Sequence, residues 1–416
     1  MFEPFRIKVV EPLVRSSPKE RAKALTVAGY NPFLIPAQHV VIDLISDSGT
    51  GAMSADQWAK MIRTREDFSG QEAYGEFVKT ARAITGFPLV QPVHQGRAAE
   101  NILFRVLLKP GGLVLANTHF ETTRANIAAC GCEAADILKP DPPWGGNLDL
   151  DRLKKILGKG RPIRLVIMTV TNNIDGGQAV ALDNILGARR IAKTRGIPLI
   201  IDASRFADNA FLIKDYTRSR IPIRSIVRKM LGMADIVYLS AKKDGLANIG
   251  GLIAMRDRKL WDRVLEEVIR QESYPTSGGL AARDLAALTT GLREAVDEDF
   301  LSYHISSLRF LAWALKEHGV KVHEPVGGHA VVIKAPTRRA YAAFALAGRI
   351  FVETGIRGGI FGADLRLALP RRVYTLAQLA YAAEAIGKVY VKPLPGLKLT
   401  NRPPSFFNFF ARFKEI

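Results

Sequence analysis

The stretch Tyr238-Leu-Ser-Ala-Lys-Lys-Asp-Gly-Leu-Ala-Asn-Ile-Gly-Gly251 organises this chain. It follows Ala234-Asp-Ile-Val-Tyr-Leu239, an apolar, β-branched run short enough to be a buried strand of a parallel sheet. Lys242 and Lys243 then sit where that strand should end. Lysine resists burial, and its amine becomes nucleophilic when desolvated or set beside another cation, so the pair suggests imine chemistry. Taken alone, a Lys-Lys pair is more often a solvated turn.

Two other strand-like runs also finish in polar residues. Ile197-Pro-Leu-Ile-Ile201 leads into Asp202-Ala-Ser-Arg205, and Arg164-Leu-Val-Ile-Met-Thr-Val170 leads into Thr171-Asn-Asn173. Ligands of open α/β sheets bind beyond the carboxyl ends of strands, so the three groups are expected to share one crevice. An imine-forming Lys, a buried Asp, an Arg and an Asn are the parts that hold pyridoxal phosphate, with the Asp against the pyridinium nitrogen.

Composition narrows the field. The chain has 416 residues, 48% of them hydrophobic, enough for a substantial core in one large or two to three ordinary domains. No apolar run approaches the roughly 20 residues of a membrane helix, and the start lacks signal-peptide organisation, so a soluble cytoplasmic protein is expected. Cys130 and Cys132 are too close in sequence for good disulfide geometry and read as buried, reduced thiols. The net charge of +19 favours anionic ligands. Its densest basic run, Arg218 to Lys229, has apolar residues interleaved and reads as a solvated helix face, since no DNA- or RNA-binding signature accompanies it.

Motifs in order along nearly the whole chain carry a resemblance. They are Glu3-Pro-Phe-Arg6, Asp47-Ser-Gly-Thr50, His94-Gln-Gly-Arg97, Gly176-Gly-Gln178, Asp202 to Arg205, Ser240 to Asp244, Pro325-Val-Gly-Gly-His-Ala330 and Leu369-Pro-Arg-Arg372. On these the chain resembles the tryptophanase and tyrosine phenol-lyase family of β-eliminating lyases. The resemblance implies an α/β protein of pyridoxal-phosphate fold type I, like aspartate aminotransferase. A large cofactor domain over 46–299, with a mostly parallel seven-stranded sheet, would pair with a smaller α+β domain over 300–416. Residues 1–45 would supply an arm against a neighbouring subunit and part of the small domain, in a dimer of dimers.

The same resemblance assigns roles. Gln95, Gly96, Arg97, Ser240 and Lys242 would hold the cofactor phosphate; the first three lie at a helix start, where backbone amides favour anions. Phe120 would stack on the pyridine ring, worth about 0.5–1.5 kcal/mol. Asp202 would pair with the ring nitrogen, Asn173 and Arg205 with the phenolic oxygen, and Lys243 would carry the aldehyde carbon. Ser48 and Arg366 would bind the substrate carboxylate, the latter through its guanidinium fork. Glu66, with carbonyls of Gly49 and Asn248, would hold potassium. Glu121 matches an acid of tryptophan cleavers, where tyrosine cleavers have threonine. Asn408, in the aromatic tail, falls near a histidine of the former and a phenylalanine of the latter, and matches neither.

Departures from the family pattern concern the leaving group. Phe68 stands where relatives carry a tyrosine that acts as a general acid, an effect typically worth about 10²–10⁴ in rate. Ser277 replaces another tyrosine, while Tyr274 replaces an apolar residue, so Tyr274 is the candidate substitute acid. The segment between Arg357 and Leu365 is shorter than in relatives and lacks the arginine that recognises phenol. The expected activity is β-elimination on an L-amino acid, releasing an aromatic group, pyruvate and ammonia. A carbon–sulfur lyase or transaminase on the same cofactor is the near alternative, and a non-catalytic anion- or nucleic-acid-binding protein the distant one.

Overall fold

The computed structural model describes residues 3–158 and 160–416. The chain divides into two compact units, Ser48–Ser302 and a second made of residues up to Asp47 together with Tyr303–Ile416. Its strands, in chain order, are β1 (Ile42–Leu44), β2 (Leu89–Val93), β3 (Leu113–Ala116), β4 (Glu133–Asp136), β5 (Ile163–Thr169), β6 (Leu199–Asp202), β7 (Ile236–Ser240), β8 (Gly251–Met255), β9 (Ala330–Ile333), β10 (Ile356–Phe361), β11 (Asp364–Ala368), β12 (Leu397–Asn401) and β13 (Arg412–Glu415).

The Ser48–Ser302 unit is built on a seven-stranded sheet of order β2-β8-β7-β6-β5-β3-β4. The strands from β4 to β7 pair in parallel, and β8 runs antiparallel to both β7 and β2. Period-two alternation sorts the central strands into two cores. Leu199, Ile201, Val237 and Leu239 face one cluster; Ile200, Ile236 and Tyr238 face the other. Each such fully buried aliphatic side chain stabilises by about 1.5–3 kcal/mol, and helices cover both faces, so the strands read as continuous apolar runs. Being antiparallel to β8, β2 shares the direction of β7. The carboxyl ends of β2, β3, β5, β6 and β7 therefore lie along one edge of the sheet, and the residues that follow them meet there.

The basic run follows the same logic at the surface. Between Ile223 and Leu231 it forms a helix that buries Ile223, Ile226, Val227, Met230 and Leu231 and leaves Arg224, Arg228 and Lys229 exposed. Cys130 and Cys132 are both free thiols; Cys132 is buried as expected, whereas Cys130, at the end of its helix, is only half-buried.

The other unit carries a four-stranded sheet of order β1-β10-β11-β9, in which only the β1–β10 pair is parallel. Segment 320–323 adds a single bridge, Val322 to Ile333, rather than a strand. The helix Pro18–Val27 starts on a capping box in which Ser17 Oγ accepts from the Glu20 amide and the Glu20 carboxylate accepts from the Ser17 amide. In the tail, Phe407 and Phe413 pack against Tyr341 and Phe344, with ring centroids 4.5–6.3 Å apart. Arg371 and Asp47, both 1% exposed, form an ion pair of 2.9 Å.

Candidate active site

The site is built outward from the end of β7. Ser240 ends that strand, and its amide donates to Ser204 Oγ at 3.0 Å. Ser204 Oγ in turn donates to Asp202 Oδ1 at 2.7 Å, and the Ser204 amide donates to the same oxygen at 3.0 Å. One hydroxyl thus ties the end of β7 to the carboxylate that ends β6. Asp202 is 7% exposed, and such hydrogen bonds are what make a buried carboxylate tolerable. It belongs to the same sheet face as Ile200, and its register partner is Tyr238.

Lys242 and Lys243 follow in a turn, both half-buried. Asp244, 2% exposed, anchors that turn: its carboxylate accepts from the amides of Ala207 at 2.7 Å and Asp208 at 3.1 Å, capping the helix Phe206–Thr217. A carboxylate at a helix start is favoured by both the open amides and the helix dipole. The helix itself begins beside Arg205, whose Nη1 donates to Asn173 Oδ1 at 2.5 Å. The Asn and Arg expected to share one oxygen of the cofactor are therefore adjacent.

The helix Gly96–Leu107 closes the crevice from the β2 side. A Cβ on Gly96 would stand 2.7 Å from Ser240 Cβ and 3.0 Å from the Ser240 amide nitrogen, so only glycine lets this helix start approach the end of β7. Lys242 is held below the usual lysine range by burial and by the charge of Arg97. Two cations that discourage each other at the amino end of a helix make an anion site, and they fit a phosphate. Beyond β5, Thr171 Oγ1 and Asn172 Nδ2 are buried without hydrogen-bond partners among the described residues, an unmet polar demand beside Asn173. Glycine cradle, cation pair and unmet polar atoms all suit a phosphorylated polar cofactor. Phe120, 36% exposed, precedes the helix Glu121–Ala129, whose first residue is Glu121.

Ser48 and Gly49 form a turn beside this group, held by the Gly49 amide donating to Lys242 O at 2.7 Å. Asn248 Nδ2 donates to Gly49 O at 3.0 Å, and a Cβ on Gly49 would lie 3.0 Å from Asn248 O, so the backbones of the two residues are neighbours. Glu66 accepts from the amides of Ala282 at 2.7 Å and Arg283 at 3.2 Å, capping the helix Ala282–Glu294. Phe68 packs its ring 5.8 Å from that of Tyr274. The segment carrying Tyr274 is fastened to the end of β2 by Gln91 Nε2, which donates to Pro275 O at 2.7 Å, and by Glu272, which accepts from the His94 amide at 3.1 Å and meets its imidazole at 2.5 Å.

Arg366 and Asn408 belong to the other unit. Arg366 lies in β11, half-buried, with Nη2 donating to Ile45 O at 3.3 Å, and Asn408 lies in the short helix Phe407–Phe410. Sequence reasoning missed the linking role of Ser204, the cap made by Asp244, the Glu272 clasp on His94 and the buried Glu100. Glu100 alone left a signal, a carboxylate on the otherwise apolar stripe of Ala99, Ile102 and Leu103.

Similarity to known proteins extends over nearly the whole chain. A sequence profile described as "Beta-eliminating lyase" matches residues 43–385. A tryptophanase of Salinibacter ruber is 42% identical, with all of this chain and 95% of that protein covered. A tyrosine phenol-lyase of Intrasporangium calvum is 38% identical at the same coverage. Among solved structures, a serine palmitoyltransferase of S. paucimobilis with a bound PLP–myriocin adduct superposes with a TM-score of 0.64, covering 84% of this chain and 87% of that one at 15% identity, which speaks to the fold alone.

Proposed function

From the premise that this chain belongs to the β-eliminating lyase family, enzymes dependent on pyridoxal phosphate, we propose that it cleaves the side chain from an L-amino acid at Cβ, leaving pyruvate and ammonia. When bound, the cofactor supplies an aldehyde that takes up amines and a ring that withdraws electrons. Gln95, Gly96, Arg97, Ser240 and Lys242 would hold its phosphate, Phe120 its ring face, Asn173 and Arg205 its phenolic oxygen, and Asp202 its ring nitrogen. The Lys243 amine would carry the aldehyde at rest and remove the substrate α-proton, and Arg366 and Ser48 would hold the substrate carboxylate. Tyr274 would give a proton to the leaving group in place of Phe68. Glu121 and Asn408 would border the side chain being released.

The observation that carries the reading is the run Ser240 to Ser204 to Asp202, which joins an anion site to a buried carboxylate within one crevice. Potassium is part of the proposal through the carbonyls of the neighbouring Gly49 and Asn248; Glu66 would join with the lone pairs left after it caps the Ala282 helix. The exposed aliphatics Ile7, Val9 and Val10 of the amino-terminal arm support a homo-oligomer, a dimer of dimers. The free thiols support a cytoplasmic setting, and among the described residues no helix is long and apolar enough to cross a membrane.

Pyruvate release assayed with tryptophan, tyrosine and an S-alkylcysteine tests the assignment. Turnover of an aromatic substrate, lost by more than about 10³-fold in Lys243→Ala, is the expected outcome. Turnover of the S-alkylcysteine alone would replace it with a carbon–sulfur lyase, the reading favoured by the absence of a hydroxyl on Phe68, since a thiolate leaves without a proton.

A further inference from the structure

One turn into the Gly96–Leu107 helix, Glu100 is 4% exposed on a stripe otherwise occupied by Ala99, Ile102, Leu103 and Phe104. A leucine there would need no partner, whereas a carboxyl in such surroundings costs several kcal/mol unless donors surround it. Donors do. Thr123 Oγ1 donates at 2.6 Å, Thr122 Oγ1 at 3.1 Å, Asn126 Nδ2 at 3.2 Å and the Tyr238 hydroxyl at 3.3 Å. These donors come from the elements that deliver the proposed cofactor contacts. Thr122 and Thr123 follow directly on Phe120 and Glu121; Tyr238 precedes Ser240 by two residues and is the register partner of Asp202. Glu100 itself shares a helix with Gly96 and Arg97.

The charged and titratable groups facing Glu100 are few. Among the described residues, Asp202 comes from β6 and Tyr238 from β7, while the Glu121–Ala129 helix contributes the neutral Thr122, Thr123 and Asn126. Burial and then the charge of Asp202 push the Glu100 carboxyl up to about 7, against the pull of the threonine and asparagine donors. Burial and the same two acids push the Tyr238 hydroxyl far above its ordinary value, so it remains a donor.

We propose that Glu100 is a positioning residue for the cofactor ring: through Thr122 and Thr123 it sets the start of the Phe120-bearing helix, through Tyr238 it sets Asp202, and its charge is felt at the pairing of Asp202 with the pyridine nitrogen. This rests on the pyridoxal-phosphate reading given above and adds to it a residue that touches neither cofactor nor substrate. A negative charge at Glu100 favours a protonated ring and a protonated Lys243–cofactor linkage, so removing it should make both easier to deprotonate.

Purified holoenzyme with Glu100→Gln and Glu100→Leu tests it, read by the pH titration of the bound cofactor's absorbance and by the apparent Kd for pyridoxal phosphate. The amide keeps the shape without the charge, its oxygen accepting from Thr122 and Asn126 and its Nε2 donating to the hydroxyls of Thr123 and Tyr238, which can turn to accept. It should hold the cofactor within about threefold of wild type while moving the absorbance titration down by about half a pH unit or more. Leucine should weaken cofactor binding about tenfold or more, because Tyr238 and the threonines lose their acceptor. An unmoved titration in the Gln variant, or wild-type affinity in the Leu variant, overturns the inference and leaves the function standing. A wild-type protein that takes up no pyridoxal phosphate overturns both. If the Leu variant does not fold, the titration of the Gln variant decides alone.

Discussion

At the floor of the crevice, Asp202, Ser204, Ser240 and Glu100 are each under a tenth exposed and bound to one another or to their neighbours. At its rim, Phe68 is 76% exposed, Tyr274 is 46% exposed, and the two rings meet at 5.8 Å with solvent around them. The contrast is energetic. A floor residue carries charge or polarity into a dry place, so its replacement strands a partner and costs about 1–3 kcal/mol or more. A rim residue can change at roughly half a kcal/mol or less. Change at the floor is thereby coupled to the fold, while a rim residue can be exchanged without unfolding anything. The departures expected at Phe68 and Tyr274 fall where exchange is cheap.

The sharpest way to break this contrast is at Asp202. Asp202→Asn should lower turnover about 10²–10³-fold with the protein still folded and its circular dichroism unchanged; near-normal turnover would mean that the floor does not hold the ring nitrogen. Next in size is Tyr274→Phe, expected to reduce release of an aromatic group about 10²-fold while leaving the affinity for pyridoxal phosphate unaltered. Full activity in that variant would remove Tyr274 from the reaction and leave the rim without a proton donor of its own.

Acid–base behaviour separates the regions in another measurement. In the folded chain the Glu100 carboxyl sits at about 7 against the ordinary 4.5, so between those values the folded state holds a proton that the unfolded chain has released. Its contribution to stability is therefore complete below about 4.5 and declines as pH rises through about 7, by on the order of 3 kcal/mol. Urea midpoints of wild type and Glu100→Gln at pH 5 and pH 8 should diverge by that much in free energy, with the variant less dependent on pH. Smallest of all, Phe120→Leu should cost about 0.5–1.5 kcal/mol of cofactor affinity, read as a few-fold rise in Kd.

Part of the crevice was legible in the sequence. The strand-like runs ending in Asp202, Asn173 and Lys243 are local in sequence, and the rule that ligands gather at strand carboxyl ends brings them together. The two cores of the large unit follow from period-two alternation in β6 and β7. Glu100 was not legible as part of this group, because its nearest partner in sequence is 22 residues away and Tyr238 is 138 away. The clasp of Glu272 on His94 spans 178 residues, and Glu66, expected among cation ligands, has its carboxylate on the amides of a helix 216 and 217 residues further on.

By itself, then, the sequence determined the three central strands that end at the site, the chemical groups that follow them and the family they belong to, since those depend on side-chain type and spacing along a few neighbouring residues. The tertiary structure alone decided which polar side chains satisfy one another: Ser204 between Ser240 and Asp202, Asp244 on the Phe206 helix, Glu100 among Thr122, Thr123, Asn126 and Tyr238. The reason is that a buried donor must find an acceptor within about 3 Å, and that distance is set by how whole strands and helices stack, which no local pattern records.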